Sequence, residues 1–462
     1  MKYLSTRGSE IDLTFKDILF SGLASDGGLY VPEKWPQIDY NELKKIDSYS
    51  ELALEIIYPF IGEDIKRTEL KNLIDNAYAK FSKDKIVTFK KLKQREHIVE
   101  LFNGPTLAFK DFAMQLIVPI FDYYLSQENN KLNLIVATSG DTGSAAINAV
   151  RQSSKINVFC LFPKGRISSF QKKQMTTTHG ENIFPIEVDG TFDDCQSIVK
   201  SILIDRNFSE EFSIAAVNSI NWSRVMTQIV YYFYTLIKND ISEDETINFS
   251  VPTGNFGDIY AGYVGIKMGL PVNKLIIATN ENDILDRFIN SGTYSIENVI
   301  KTTSPSMDIA IASNFERLLF DLYEKSSLIT SEKMKDLKNN KSFSVSNEQS
   351  NLVKKIFSSK KINQNQVSEL IKETYNQFNY VIDPHTAIGL GASRLLNDIH
   401  ENNFILGTAH PIKFSDTVEK AIGCSMQPNS DFNETFKNEE KFYSFKNSAK
   451  EVRNIIKDNY FK

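Results

Sequence analysis

Residues 100–111 read Glu-Leu-Phe-Asn-Gly-Pro-Thr-Leu-Ala-Phe-Lys-Asp, and the fold of the chain turns on how this stretch is read. Ile98, Val99, Leu101 and Phe102 have strand character, and Asn103-Gly104-Pro105 breaks the strand with a strong turn signal. Thr106-Leu107-Ala108-Phe109 then delivers Lys110 between an aromatic ring and Asp111. From Phe112 the period changes: Phe112, Leu116, Pro119, Ile120 and Tyr123 fall near one helical face. An amine held among apolar neighbours at a strand-to-helix junction gives up its proton more readily, because burial disfavours the charged form. An imine-forming lysine needs that property. Taken alone, a solvated lysine at a helix start is the better explanation, since most lysines are exposed. The rest of the chain has to overturn it.

Two later loops do so. Ala137-Thr138-Ser139-Gly140-Asp141-Thr142-Gly143 follows an apolar run at 132–136 and opens an alanine-rich helix. Pro252-Thr253-Gly254-Asn255-Phe256-Gly257-Asp258 follows the run at 247–251 and opens a helix over 259–268. Each puts unsatisfied backbone N–H groups at a helix N-terminus, where anions bind. Neither has the Gly-Lys-Ser/Thr of a nucleotide loop or the Gly-x-Gly-x-x-Gly of a dinucleotide fold. Two anion cradles and one activatable lysine fit a phosphate-bearing carbonyl cofactor, pyridoxal 5'-phosphate, acting on an anionic substrate.

Composition narrows the field further. A chain of 462 residues, 41% hydrophobic and 24% charged, has room for two or three domains with sizeable cores. Its net charge of -5, from 53 basic and 58 acidic residues, gives no reason to expect nucleic acid or an anionic membrane as partner. No apolar run reaches the roughly 18 residues a membrane helix needs, and no signal segment is visible after Met1. Cys160, Cys195 and Cys424 are odd in number and scattered, which argues for a reducing cytoplasm and against a disulfide framework. None of the five histidines pairs at metal-ligand spacing, so no metal is expected.

Along the chain, residues 1–90 predict a small, mainly helical unit, with helices over 12–23, 49–61 and 68–81. Strands at 132–136, 158–162, 183–188, 247–251 and 275–279 alternate with helices, the pattern of parallel sheets covered on both faces. Whether there is one sheet or two is open at this level. Residues 326–375 turn Lys-, Asn- and Ser-rich and read as a peripheral helical insertion. The core pattern returns over 376–425, where Asp383-Pro384-His385 caps a helix start and a strand at 404–406 leads into Gly407-Thr408. Residues 426–462 read as a C-terminal tail without a motif.

The blocks NGPTLAFKD (103–111), ATSGDTGSAA (137–146), FPKGRIS (162–168), NSINWSR (218–224), PTGNFGD (252–258), ATNENDI (278–284) and LGTAHPIKF (406–414), with the Ser-Thr-Arg-Gly start at 5–8 and GGLYVP at 27–32, resemble the threonine synthases in order and context. The resemblance runs from Tyr3 to about Gly423 and is to the longer, bacterial and fungal type. It implies an α/β, fold-type-II catalytic core like that of the tryptophan synthase β subunit. Two parallel-sheet subdomains, over 91–325 and 376–425, would flank the cofactor, and residues 1–90 would be the family's N-terminal unit. It implies a cytoplasmic lyase of threonine biosynthesis that converts O-phospho-L-homoserine and water to L-threonine and phosphate, as monomer or homodimer.

The same resemblance makes Lys110 the cofactor lysine and the shuttle for substrate protons. Gly254, Asn255, Phe256, Gly257 and Asp258 would cradle the cofactor phosphate through N–H groups, the Asp258 side chain having the wrong charge for that anion. Thr138, Ser139 and Thr142 would hold the substrate carboxylate. Lys164 and Arg166, just beyond a strand end, and Arg224 are candidates to clamp the substrate phosphate. The Thr408 hydroxyl would face the pyridine nitrogen, with a mere turn cap as the equal alternative. A phospho-lyase that yields a 2-oxo acid would share the early steps, and a non-catalytic binding protein could keep the fold.

Overall fold

The computed structural model describes residues 1–82, 85–241, 245–396, 400–427 and 430–460, the side chains of residues 430, 431 and 433 excepted. Two sheets carry the chain. The larger runs Phe357–Lys361, Lys274–Thr279, Ile247–Pro252, Asn402–Gly407, Glu96–Glu100, Thr88–Lys93, parallel except for the last, antiparallel pair. The smaller runs Tyr443–Lys446, Ile183–Asp189, Ile156–Pro163, Leu132–Ala137, Ile214–Ala216, parallel throughout. The expected mixed α/β architecture with two parallel sheets is present, and the count that the apolar runs left open is two.

Every residue of Leu132–Ala137, Ile156–Pro163, Ile247–Pro252 and Asn402–Gly407 is buried. Helices cover both faces of these strands, so they read as unbroken apolar runs. The largest core cluster joins the N-terminal helices to the inner faces of both sheets. A second fills the outer face of the larger sheet beneath Gln364–Phe378, Pro384–Leu396 and Ser415–Ile422. The third lies under Phe192–Ile204 and Ala449–Asn459 on the smaller sheet.

In the N-terminal unit the expected helix over 12–23 is shorter, Phe15–Ser21. Thr14 and Asp17 close a capping box at its start, and Gly22, at φ +63°, ends it. The helix expected to reach residue 81 stops at Tyr78. GGLYVP leads into the strand Tyr30–Pro32, which pairs with Tyr3–Ser5. This unit is not a loose appendage: Trp222 is fully buried against Tyr3, Trp35 and Phe60.

Two polar segments do more than their composition indicates. Within 326–375, Phe357–Lys361 is an edge strand of the larger sheet, and within 426–462, Tyr443–Lys446 is an edge strand of the smaller one. Helix Ala449–Asn459 then buries Val452 and Ile456 against the smaller sheet's outer face. No described helix is long and apolar enough to cross a membrane.

Candidate active site

The carboxyl ends of the strands of both sheets open onto one cleft, the place where parallel sheets put their ligands. From the smaller sheet come Thr138, Ser139, Thr142 and Asn218. From the larger come Gly254, Asn255, Phe256, Gly257, Asp258 and Thr408, and Lys110 and Arg224 stand between them.

Lys110 is the first residue of helix Lys110–Glu128 and is buried. The turn before it is held by Leu107 at φ +61°, by a bridge from Ala108 to Ala409, and by the Phe109 N–H donating to the Thr408 carbonyl at 2.9 Å. That stitching places Lys110 beside Thr408, 298 positions along the chain. The Lys110 amine lies 4.3 Å from the Phe109 ring centroid and 3.2 Å from Asp141 Oδ2. Burial lowers its proton affinity. The Asp141 carboxylate opposes that, while Arg224 and Lys413 reinforce it.

The loop after Ile247–Pro252 presents a row of amides. The N–H groups of Gly254, Asn255, Phe256 and Gly257 have no hydrogen-bond partner among the described residues. Phe256 is held left-handed at φ +63°, a strained conformation for a bulky side chain and one often kept at ligand sites. Glycine is required at 254: a Cβ there would sit 2.4 Å from the Ser306 carbonyl oxygen. Asn314 fixes the loop from behind. Its backbone and side-chain N–H groups both donate to the Asn255 carbonyl at 3.0 Å, and its side chain donates also to the Ser219 carbonyl at 3.1 Å.

One oxygen of Asp258 is taken up by neighbours outside that cradle. Tyr231 and Tyr232 both donate to its Oδ1, and burial pushes its carboxyl up to about 6. On the opposite wall Thr138 Oγ1 accepts from the N–H groups of Gly140 (2.9 Å) and Gly143 (2.8 Å). The threonine thus caps helix Asp141–Val150 as well as lining the cleft.

The basic candidates separate by depth. Arg224 is 4% exposed and lines the cleft. Among the described residues its guanidinium makes a single hydrogen bond, a long one to the Val217 carbonyl at 3.5 Å, and its Nε has no partner. Lys164 and Arg166 are exposed. Arg166 lines a neighbouring cavity that meets the cleft at Ser139 and Phe192. The structure therefore does not bring Lys164 and Arg166 to Lys110.

His385 is a cleft residue that sequence reasoning took only for part of a helix cap. The cap is real, since the His385 and Thr386 N–H groups donate to Asp383. Yet Nδ1 also lies 2.6 Å from Asp383 Oδ2, and a carboxylate partner makes Nδ1 the donor. Nε2 is left buried without a partner among the described residues, on a residue that lines the cleft.

Arg224 Nε, Asn255 Oδ1, Asp258 Oδ2 and His385 Nε2 are thus buried polar atoms without partners among the described residues, all on cleft residues. Such groups are costly unless something polar meets them. A buried amine, a row of free amides and a hydroxyl at 408 are the donor set that pyridoxal phosphate requires. Among the described residues no cluster of His, Cys, Asp or Glu is arranged to hold a metal ion.

Residues 89–337 match the family described as pyridoxal-phosphate dependent enzyme, the class that this two-sheet fold and its buried lysine define. The flanking segments are more particular: residues 2–78 match the threonine synthase N terminus and residues 386–456 the threonine synthase C-terminal family. The threonine synthase of Pseudomonas aeruginosa is 42% identical over 460 residues, covering 99% of this chain and 98% of that one. The Saccharomyces cerevisiae enzyme is also 42% identical, over 91% of this chain and 89% of its own. The crystal structure of pyridoxal-phosphate-bound threonine synthase from Brucella melitensis superposes with a TM-score of 0.94, at 40% identity and full coverage of both chains. The chain belongs to the threonine synthase family.

Proposed function

We propose that the chain converts O-phospho-L-homoserine and water to L-threonine and inorganic phosphate. The observation that carries this reading is a buried lysine and a buried, under-partnered arginine in one cleft, in a chain of this family. An amine for the cofactor and a guanidinium for a second phosphate are what that substrate needs.

Pyridoxal phosphate, when bound, supplies the electron sink for negative charge that develops at the substrate's α carbon. The remaining work belongs to the protein. The free N–H groups of Gly254 to Gly257 bind the cofactor phosphate, with Asp258 contributing its place at the helix start and not its charge. Thr138, Ser139 and Thr142, at the N-terminus of Asp141–Val150, bind the substrate carboxylate. The Thr408 hydroxyl, which lines the same cleft, would serve the pyridine nitrogen of the cofactor. Lys110 carries protons away from and back to the substrate carbons. Arg224 grips the phosphate that departs from the γ carbon, with Asn218 beside it. This assignment replaces the expected clamp by Lys164 and Arg166, because an anion in a buried cleft is better met by a buried guanidinium than by two exposed cations. Arg166 is left the neighbouring cavity, and Lys164 the exposed surface two residues before it. The three described cysteines are unpaired, and we place the reaction in a reducing cytoplasm.

The test is incubation of the holoenzyme with O-phosphohomoserine while phosphate and threonine are followed together. Equal release of both is expected. Phosphate with a 2-oxo acid and no threonine would make the chain a phospho-lyase, and release of neither would make it a binding protein.

A further inference from the structure

Asp141 lies behind the cleft and not in it. Its side chain is buried at the start of helix Asp141–Val150 and meets three others from three separate elements. Lys110 Nζ stands 3.2 Å from Oδ2, Lys413 Nζ 3.1 Å from Oδ1, and Gln171 Nε2 donates to Oδ1 at 2.7 Å. Lys413 is wholly buried. It donates to the Thr106 carbonyl at 2.6 Å and to Gln174 Oε1 at 2.8 Å, and the ion pair with Asp141 sets a third oxygen against the same amine. A lysine at that depth is found with polar partners of this kind about it. None of Asp141, Gln171, Gln174 or Lys413 lines the cleft. The substrate-facing roles proposed above leave this cluster unexplained.

A lysine that binds a carbonyl cofactor is set free when the substrate's amine takes its place. The released amine then needs a fixed position close to the substrate and a proton that it can both hold and surrender. A buried carboxylate facing Lys110 alone would supply the position but would bind the ammonium too firmly for it to act as a base. A second cation on the same carboxylate removes that difficulty.

We propose that Asp141 and Lys413 are positioning residues for Lys110: Asp141 Oδ2 docks the amine whenever it is free, and Lys413, on the other oxygen, keeps that docking weak enough for the amine to lose its proton. The proposal rests on the reading of Lys110 as the cofactor lysine. The other charged groups around the pair are consistent with it. Arg224, from helix Trp222–Lys238, disfavours charge on Lys110 as Lys413 does. Asp258, from helix Gly257–Met268, is near enough for the Lys110 charge to draw its carboxyl down slightly against burial. Against the upward push of burial, Lys413 and then Lys110, aided by Gln171 and by His385 from helix Pro384–Leu396, hold Asp141 well below the usual carboxylate range.

The test uses the full-length chain freed of cofactor, with a small amine-acylating reagent and peptide mass spectrometry to follow modification of Lys110 against pH. Asp141→Asn removes the docking charge and should lower the titration midpoint of Lys110 by about one unit. Lys413→Met removes the competing cation and should raise it by about one unit. The acid limb of kcat against pH should move with each. Opposite shifts are a signature that a purely structural role does not produce; shifts in one direction, or none, would overturn the proposal. Should either variant not fold, Asp141→Ser and Lys413→Gln carry the same comparison. Borohydride reduction of the wild-type holoenzyme separately identifies the cofactor lysine. If the tag is elsewhere than Lys110, the underlying reading fails; if it is on Lys110 and the midpoints do not diverge, only the Asp141–Lys413 proposal fails.

Discussion

Arg224 illustrates what one under-partnered charge implies. Burial pushes its guanidinium down to about 10, and a buried cation short of acceptors is destabilising until an anion reaches it. Arg224→Met should therefore lower kcat/KM for the phosphorylated substrate by roughly 10- to 150-fold, the equivalent of about 1.5–3 kcal/mol for a charge-assisted hydrogen bond. It should also leave the melting temperature of the unliganded protein unchanged or higher, because a desolvated charge has been removed. Arg166→Ala, at an exposed position, should change kcat/KM by less than about threefold. If the two losses come out the other way round, the phosphate is held in the outer cavity. Lys110→Ala makes a different demand. It should abolish turnover and the visible absorption of the lysine-bound cofactor while the circular dichroism spectrum and melting curve stay close to wild type. Residual turnover above about one part in a thousand would remove the lysine from the proton transfers.

At the scale of elements, what could be read in the sequence depended on how many sides of an element are buried. Central strands such as Leu132–Ala137 and Ile247–Pro252 are covered on both faces, so their apolar runs located them to within a residue. The edge strands Phe357–Lys361 and Tyr443–Lys446 face solvent along one side and carry the lysines and serines that protect an edge. Those residues read as part of a peripheral helical insertion and of a tail. The glycine loops of the site were legible because close approach excludes a side chain at Gly254 and Gly140. The depth of a charge was not. Lys164, Arg166 and Arg224 look alike in sequence, and only the packing of helix Trp222–Lys238 separates the last from the others. Asn314 left no trace at all, since an asparagine before a helix explains itself as a cap. In the fold it has no side-chain capping bond and instead braces the carbonyls of Asn255 and Ser219, two loops that line the cleft. Asn314→Ala should loosen both and weaken cofactor affinity about tenfold, since a lost buried hydrogen bond of this kind is worth about 1–3 kcal/mol. Titration of the cofactor-free protein with pyridoxal phosphate measures it. A lower melting temperature with unchanged affinity would confine Asn314 to general packing.

For the whole molecule, the dependence of stability on pH is a balance between buried groups of opposite sense. Burial raises the carboxyls of Asp111 and Asp258 to about 6. Both prefer to be neutral in the fold, so the stability they contribute is present at acid pH and is lost as pH rises through that value. His410 acts the other way. Its Nδ1 accepts the Ile412 N–H at 3.2 Å, its ring packs edge-on to Phe102, and burial lowers it from 6.5 to about 4. Nearby Glu100 and Asp383 only partly offset that shift. Because its folded value lies below its unfolded one, the unfolded chain takes up the proton first as pH falls. The stability due to neutral His410 is complete above about pH 6.5 and is lost progressively toward pH 4; at pH 5 the loss is about 2 kcal/mol. The wild-type profile between pH 7.5 and 5 should consequently be flatter than either class of group alone would make it. His410→Asn keeps a side-chain acceptor for the Ile412 N–H but cannot be protonated. Whatever it costs at pH 7.5 in urea unfolding, that cost should shrink by about 2 kcal/mol at pH 5, while the contributions of Asp111 and Asp258 cancel in the comparison. A cost that is the same at both pH values would show that His410 takes up its proton as readily in the fold as in the unfolded chain.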